Sequence, residues 1–160
     1  MKQYKISYIV YAPYYNNIYV DDFIGLIDDK EKAFEYLKTV VNERVRLTNE
    51  KNDNTEKDKY SYDAVFNAAH DAIIRIHEND KNKILNLVCY DIFELDQISD
   101  MHYQYRGFDI KYDADKNVYK IYLDQADPIS VKEYLDSALL FINAFMVNNA
   151  IYENIANGKI

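Results

Sequence analysis

The side chains best suited to chemistry in this chain are three histidines, one cysteine and a series of carboxylates in its second half. His70 and His77 stand seven residues apart and His102 stands alone. A helix holds zinc through histidines three or four positions apart, and no cysteine pair completes a tetrahedral set, so these spacings argue against a metal site. Cys89 lies within an apolar run, and no basic neighbour in sequence lowers its pKa. That setting suits a small buried hydrophobe better than a nucleophile. Asp109-x-Lys111 has a different potential. With a further acid such as Asp96 on an adjacent strand, the pair can hold magnesium and orient a water for phosphodiester hydrolysis. Alternating Asp and Lys also arises on the exposed face of any solvated strand, and no phosphate loop, nucleophile elbow or dinucleotide fingerprint is present. The residues therefore predict no catalytic centre, no metal and no cofactor, with an Asp96, Asp109 and Lys111 nuclease site as the alternative.

The elements that must position these groups follow from periodicity. β-favouring residues from Tyr4 to Tyr11 and from Ile18 to Ile27, with a turn at Pro13 to Asn17, predict a hairpin. Asp28 with Glu31 starts a helix over about 29–50, with Phe34, Leu37, Val41 and Val45 or Arg44 on its apolar side. The polar stretch Asn49 to Lys59 reads as frayed helix end and loop. Ser61 opens a second helix through Val65, Ala68 or Ala69, Ala72, Ile73 and Ile76, which carries His70 and His77 and stops at the polar run Glu78 to Lys83. Ile84 to Leu95 is apolar at both parities, as in a central strand covered on both faces. Gly107 to Tyr112 and Val118 to Asp124 alternate cleanly. They set Phe108, Ile110 and Tyr112 against Tyr119, Ile121 and Leu123 across a turn at Asp113 to Asn117. Ser130 and Glu133 form a capping box for a long C-terminal helix that ends before Gly158. The predicted fold is α+β, with about five strands in a mainly antiparallel sheet and three helices on one face, in the order ββααβββα. Residues 1–160 form a single domain with lobes at 1–83 and 84–160.

Composition bounds the function. The 160 residues include 19 Lys and Arg against 27 Asp and Glu, a net charge of −8. A chain of this length covers roughly 68 to 70% of its unfolded surface on folding, enough for a core without disulfide or metal. Ala138 to Val147, interrupted by Asn143, falls short of the roughly 20 apolar residues that cross a bilayer. Lys2 and Lys5 precede Ile6 to Ala12, but no small-residue cleavage pattern follows before Pro13. These features predict a cytoplasmic protein without a membrane partner. Basic residues are dispersed among acids, so direct nucleic-acid binding is also disfavoured.

The acids are unevenly distributed along the chain. Residues 1–83 hold 15 acids and 13 bases, whereas residues 84–160 hold 12 acids and 6 bases. Asp91, Glu94, Asp96, Asp100, Asp109, Asp113, Asp115, Asp124 and Asp127 fall on or beside the predicted strands, where they would orient a basic protein partner. Of the 27 acids 18 are Asp, whose short side chain keeps its charge close to the backbone. Tyr14, Tyr15, Tyr103 and Tyr105 fall in predicted loops, and tyrosine is enriched where proteins meet. The predicted partner-binding set is therefore the nine acids with Tyr103 and Tyr105.

Asn, Ile, Lys and Tyr, all with AT-rich codons, make up 66 of the 160 residues, as in genes of low-GC bacteria and their phages. In size, acidity and composition the whole chain resembles the anti-CRISPR proteins, inhibitors carried by phages and mobile elements that share no common motif. The resemblance implies a non-enzymatic protein that binds a CRISPR effector nuclease and blocks DNA binding or cleavage, as monomer or homodimer. Residues 4–40 add a second likeness. Their hairpin, Gly25, Asp28-Asp29-Lys30-Glu31-Lys32-Ala33 and Tyr36-Leu37 look like the start of many small phage proteins.

Overall fold

The computed structural model describes residues 1–11, 25–51, 59–67 and 70–158. The chain runs β1 (Lys2–Val10), β2 (Leu26–Ile27), α1 (Lys30–Lys51), β3 (Tyr60–Asn67), β4 (Asp71–Glu78), β5 (Lys83–Ser99), β6 (His102–Tyr105), β7 (Phe108–Asp113), β8 (Val118–Tyr122), β9 (Ser130–Lys132) and α2 (Leu135–Ala156). The α+β class holds. Among the described residues, however, the sheet has nine strands instead of five, and there are two helices instead of three. The sheet order is β2-β1-β5-β6-β7-β8-β9, with β4 also paired to β5 and β3 paired to β4. The chain divides into two compact units, Tyr4–Phe93 and Met1–Gln3 with Glu94–Ile160. The division falls inside β5 and not at 83/84.

The missing helix is the main correction. Ser61 to Ile76 forms the β3–β4 hairpin, paired from Tyr60↔Glu78 to Asn67↔Asp71. Val65, Ala72, Ile73 and Ile76 happen to satisfy a helical spacing, but along β4 burial alternates strictly, with Ala72, Ile74, Ile76 and Glu78 inside. Period 2 with three isoleucines is a strand signature, because β-branched side chains pack well on a pleated surface. His70 and His77 therefore share no helix, and Ala68 and Ala69 lie outside the described residues.

Other boundaries shift for local reasons. β1 pairs β2 at Tyr4↔Ile27 and Lys5↔Leu26, as the predicted first hairpin requires at its base. Its turn at Pro13 to Asn17, the stretch Ile18 to Ile24, and Tyr14 and Tyr15 lie outside the described residues. So does most of the predicted loop, 52–58. The cap of α1 is Asp29, whose Oδ1 accepts the Lys32 N–H at 2.9 Å, so the expected Asp28–Glu31 box is displaced by one residue. At the C-terminus, Ser130 does not cap a helix. It opens β9, which pairs with β8, and α2 starts at Leu135 after an extended Tyr134. Gly158 follows the helix at φ +71°, the left-handed position that glycine favours at a helix end.

In the Tyr4–Phe93 unit, α1 buries Ala33, Leu37 and Val41 against Ile6, Tyr62, Ala72, Ile74 and Ile76. Strand β5 supplies both Leu87 and Val88 to this core, which one parity alone does not allow. A register shift opposite Ile74/Arg75 explains it. Arg75 pairs with Asn86 and Ile74 with Val88, leaving Leu87 as the extra residue of a bulge. Beyond the bulge Val88, Tyr90 and Ile92 are buried on one parity, and Phe93 and Leu95 on the other. The mixed parity thus has two sources, the bulge at Leu87 and the burial of successive Ile92 and Phe93 on opposite faces of the strand. In the C-terminal unit the strands bury Tyr103, Phe108, Ile110 and Ile121, and α2 buries Leu135, Ala138, Leu139 and Ile142. The expected pairs Ile110↔Ile121 and Tyr112↔Tyr119 are present.

Among the described residues, strand β3 is hydrogen-bonded to a strand only through β4. Its outward edge is blunted by α1. The Asn49 side chain donates through Nδ2 to the Tyr62 carbonyl at 3.0 Å and accepts the Tyr62 N–H through Oδ1 at 3.1 Å. The amide thereby stands in for one rung of a neighbouring strand, a local guard against edge-to-edge pairing. Asn49→Ala leaves both backbone groups part-buried and without this partner, which costs about 1–3 kcal/mol. The expected result is a lower urea midpoint at unchanged slope, with Asn49→Asp intermediate because it retains only the acceptor.

Candidate functional site

Strands β5 to β9 form a meander whose pleat separates two chemistries. One face carries the core residues just named. The other carries Glu94 and Asp96 on β5, His102 and Gln104 on β6, Asp109, Lys111 and Asp113 on β7, and Lys120 and Tyr122 on β8. Register sets Asp96 opposite Gln104, Gln104 opposite Asp109, and Asp109 opposite Tyr122. In the next row His102 lies opposite Lys111, and Lys111 opposite Lys120. Alternation along each strand and pairing between strands thus bring together residues from Glu94 to Tyr122.

The acids of this face are compensated where they stand. Lys2 Nζ lies 2.9 Å from Asp96 and 3.4 Å from Glu94. Asp109 Oδ1 is 2.8 Å from His102 Nε2 and accepts from Gln104 Nε2 at 3.1 Å. Asp113 pairs with Lys120 at 2.8 Å and accepts the N–H groups of Asp115 and Lys116, closing the β7–β8 turn. Tyr112 donates to Asn117 across the same turn. Lys111 Nζ lies over the Tyr122 ring, 5.3 Å from its centre. The His102 hydrogen bond holds the Asp109 carboxyl below the usual carboxylate range, and Lys120 does the same for Asp113.

The nuclease alternative requires Asp96 and Asp109 to converge on one ion. They are two strands apart with β6 between them, about 10 Å at the usual strand spacing. Each is turned to its own partner, Lys2 or His102. Among the described residues no group of three His, Cys, Asp or Glu side chains is placed to hold a metal ion.

The remaining predicted contacts separate. Tyr103 is only 5% exposed and is a core residue of β6, opposite Ile110, so its expected role at a partner surface is corrected. Burial pushes its phenol pKa up. Tyr105 donates to Asn143 Oδ1 on α2 at 2.8 Å, and Arg106 donates to the same oxygen at 2.7 Å. The Arg106-Gly107 turn has both residues at positive φ, the geometry that closes a two-residue hairpin, and Asn143 anchors it. Asp91 belongs to the other unit, opposite Asp71, with His70 Nδ1 3.2 Å from its Oδ1. Cys89 is half-buried, and its thiol hydrogen bond is the main cause of a raised Tyr11 pKa.

Four acids of the set remain exposed on turns. The register puts Asp100 and Asp115 at one end of the meander, where Tyr112 N–H donates to the Met101 carbonyl at 3.0 Å. Asp124 and Asp127 are in the β8–β9 connection at the other end, with Arg106. Beside Asp100, Met101 has φ +58° and is 42% exposed, and Ile98 is 52% exposed. Asparagine and aspartate adopt the left-handed region readily and methionine does not. The halves of the sequence are unequal in charge, but the structural units are not. The Tyr4–Phe93 unit holds 16 acids and 12 bases and the other holds 11 and 7, so each carries −4.

Sequence reading missed Lys2, His102, Gln104, Asn143 and Met101. Lys2 and Asn143 act through partners far along the chain, whereas His102 and Gln104 meet Asp109 across one hairpin turn. The Arg106-Gly107 pair is the one local signal, because a two-residue turn there places His102 and Asp109 on the same side of adjacent strands. Comparison with known protein families, curated sequences and solved structures finds no match. No described helix is long and apolar enough to cross a membrane.

Two carboxyls make opposite contributions to stability. Burial raises the Asp91 pKa, and Asp71 opposite adds to the rise. A carboxyl so raised costs stability above its folded pKa, and that cost is relieved as pH falls through it. Asp91→Asn should therefore stabilise the fold at pH 7, seen as a higher melting temperature. Asp109 is lowered, so its contribution is present above the unfolded carboxylate pKa and is lost as pH falls through the folded value. Urea midpoints measured from pH 7 down to pH 3 should drop less steeply in Asp109→Asn than in the parent.

Proposed function

We propose that this chain is a non-enzymatic inhibitor that binds a basic host protein, with a CRISPR effector nuclease as the best-matched target. It would act in the host cytoplasm and block DNA binding or cleavage. The target class rests on the resemblance in size, charge and composition. The binding surface is the end of the meander built by the β5–β6 and β7–β8 turns. The observation that carries this choice is the grouping of exposed Asp100, Met101 and Asp115 on two short turns beside exposed Ile98 at the end of β5.

A flexible thioether and an aliphatic side chain suit an apolar pocket, and flanking carboxylates suit its basic rim. The face acids Glu94, Asp96, Asp109 and Asp113 serve less well, because each already meets a lysine or histidine of its own unit. The left-handed conformation of Met101 supports the same surface. Holding a non-glycine residue there costs roughly 1–2 kcal/mol, and an exposed methionine recovers nothing from the core.

Binding to a guide-loaded CRISPR nuclease, measured by interferometry at two salt concentrations, tests the proposal. Asp100→Lys with Asp115→Lys should slow association about tenfold or more and remove most of its salt dependence, as expected for rim charges. Asp124→Lys with Asp127→Lys should change little. Met101→Gly should raise the melting temperature and weaken binding together, a combination that a purely structural role does not give. Equal binding by the parent and the Asp100/Asp115 variant overturns this surface, and no binding by the parent overturns the target class.

A further inference from the structure

A second exposed surface lies on α2 and differs in chemistry from the turns. The first half of the helix buries Leu135, Ala138, Leu139 and Ile142. In its second half Val147, Ile151 and Ile155 are 58%, 43% and 53% exposed. They are spaced i, i+4 and i+8, so they form one ridge along the helix surface. Their exposed neighbours Asn148, Asn149 and Ala150 are uncharged. The 22-residue helix contains no Lys or Arg, and its only acids are Asp136 and Glu153.

We propose that this ridge is a self-association surface, on which the C-terminal half of α2 packs against the same helix of a second copy. Charge selects the occupant. A membrane surface or a nucleic acid would meet a helix without a cation to attract phosphate. A strongly charged protein partner would find aliphatic and amide groups and one carboxylate. A second copy offers the same aliphatic and amide groups, and it can approach an acidic chain only where charge is sparse. The net charge of −8 repels elsewhere.

The spacing also defines the geometry. Ridges of i±4 type interdigitate with helix axes crossing at about −50° and 8–10 Å apart. Around a two-fold axis Ile151 meets Ile151 of the second copy. In the antiparallel sense Val147 lies toward the second copy's Ile155, the helix dipoles oppose, and the two Glu153 carboxylates separate. The contact is small, so the dimer is a weak, concentration-dependent one. It uses none of the residues assigned to the partner surface.

Sedimentation equilibrium of the full chain from 5 μM to about 1 mM tests this, with far-ultraviolet circular dichroism as the check on folding. The parent should pass from monomer to dimer within that range. Ile151→Glu should fold normally and weaken the dimer by about a hundredfold or more, because two unpaired carboxylates meet on the axis. Val147→Lys should weaken it less. Oxidation of Ile151→Cys in a Cys89→Ala background should give a disulfide-linked dimer, whereas Lys116→Cys should not. A parent that stays monomeric to 1 mM overturns the proposal, and so does a dimer that Ile151→Glu leaves intact. Binding of the parent to anionic phosphatidylserine vesicles that Ile151→Glu abolishes also overturns it, in favour of a membrane.

Discussion

Strand β5 must satisfy backbone partners along seventeen residues, and most of the architecture is a consequence of how it does so. One edge takes β1, from Tyr11 N–H on the Leu87 carbonyl to Gln97 N–H on the Met1 carbonyl, an antiparallel register. The other edge takes β4 as far as Asp91 and β6 from Asp96 onward. Between these stretches Ile92 to Leu95 changes partner on that edge, and the boundary of the two compact units falls there. Unpaired backbone groups are costly when buried, so a long strand with two successive neighbours organises whatever those neighbours carry. The bulge at Leu87 is part of the same solution, because it returns the next residues to the α1 core after one extra position.

The polar face of the meander shows how much of an acidic composition folding can absorb. Lys2 meets an acid that sequence distance conceals, and His102 and Lys120 each meet one across a hairpin turn. Exposed ion pairs of this kind add little stability individually, roughly 0–1 kcal/mol, yet they change what an approaching molecule meets. Net charge persists on the turns, where backbone geometry leaves carboxylates pointing to water. A charge surplus counted along half the chain therefore overstated the face and understated the ends. Equal charges of −4 on the two units make the same point at larger scale.

The elements that were legible in the sequence are those with a strong local cause. The β7–β8 hairpin has alternating residues and an Asp113 turn, and α1 has a long apolar stripe and an acidic cap. The class, α+β around an antiparallel sheet, follows from such elements. The β3–β4 hairpin was not legible, because Val65, Ala72, Ile73 and Ile76 fit a helical period while Ala72, Ile74 and Ile76 fit a strand period over the same short window. Only pairing with β5 selects period 2 there. The Ser130 capping box was overridden for a related reason, since Ser130 to Lys132 gains more as a rung on β8 than as the first turn of a helix.

By itself the sequence determined that this chain has enough apolar residues for a core, that it is acidic, and where its turns and longest amphipathic stretches lie. Those properties depend on residue type and on neighbours within a few positions. The tertiary structure decided which strands meet, and so which acids are neutralised, why Tyr103 is core, how Asn143 holds a turn, and which part of α2 stays exposed. Each of these depends on register between segments that come together only on folding, several of them far apart in the chain. Register is set by burial and backbone pairing across the whole sheet, which no local window contains.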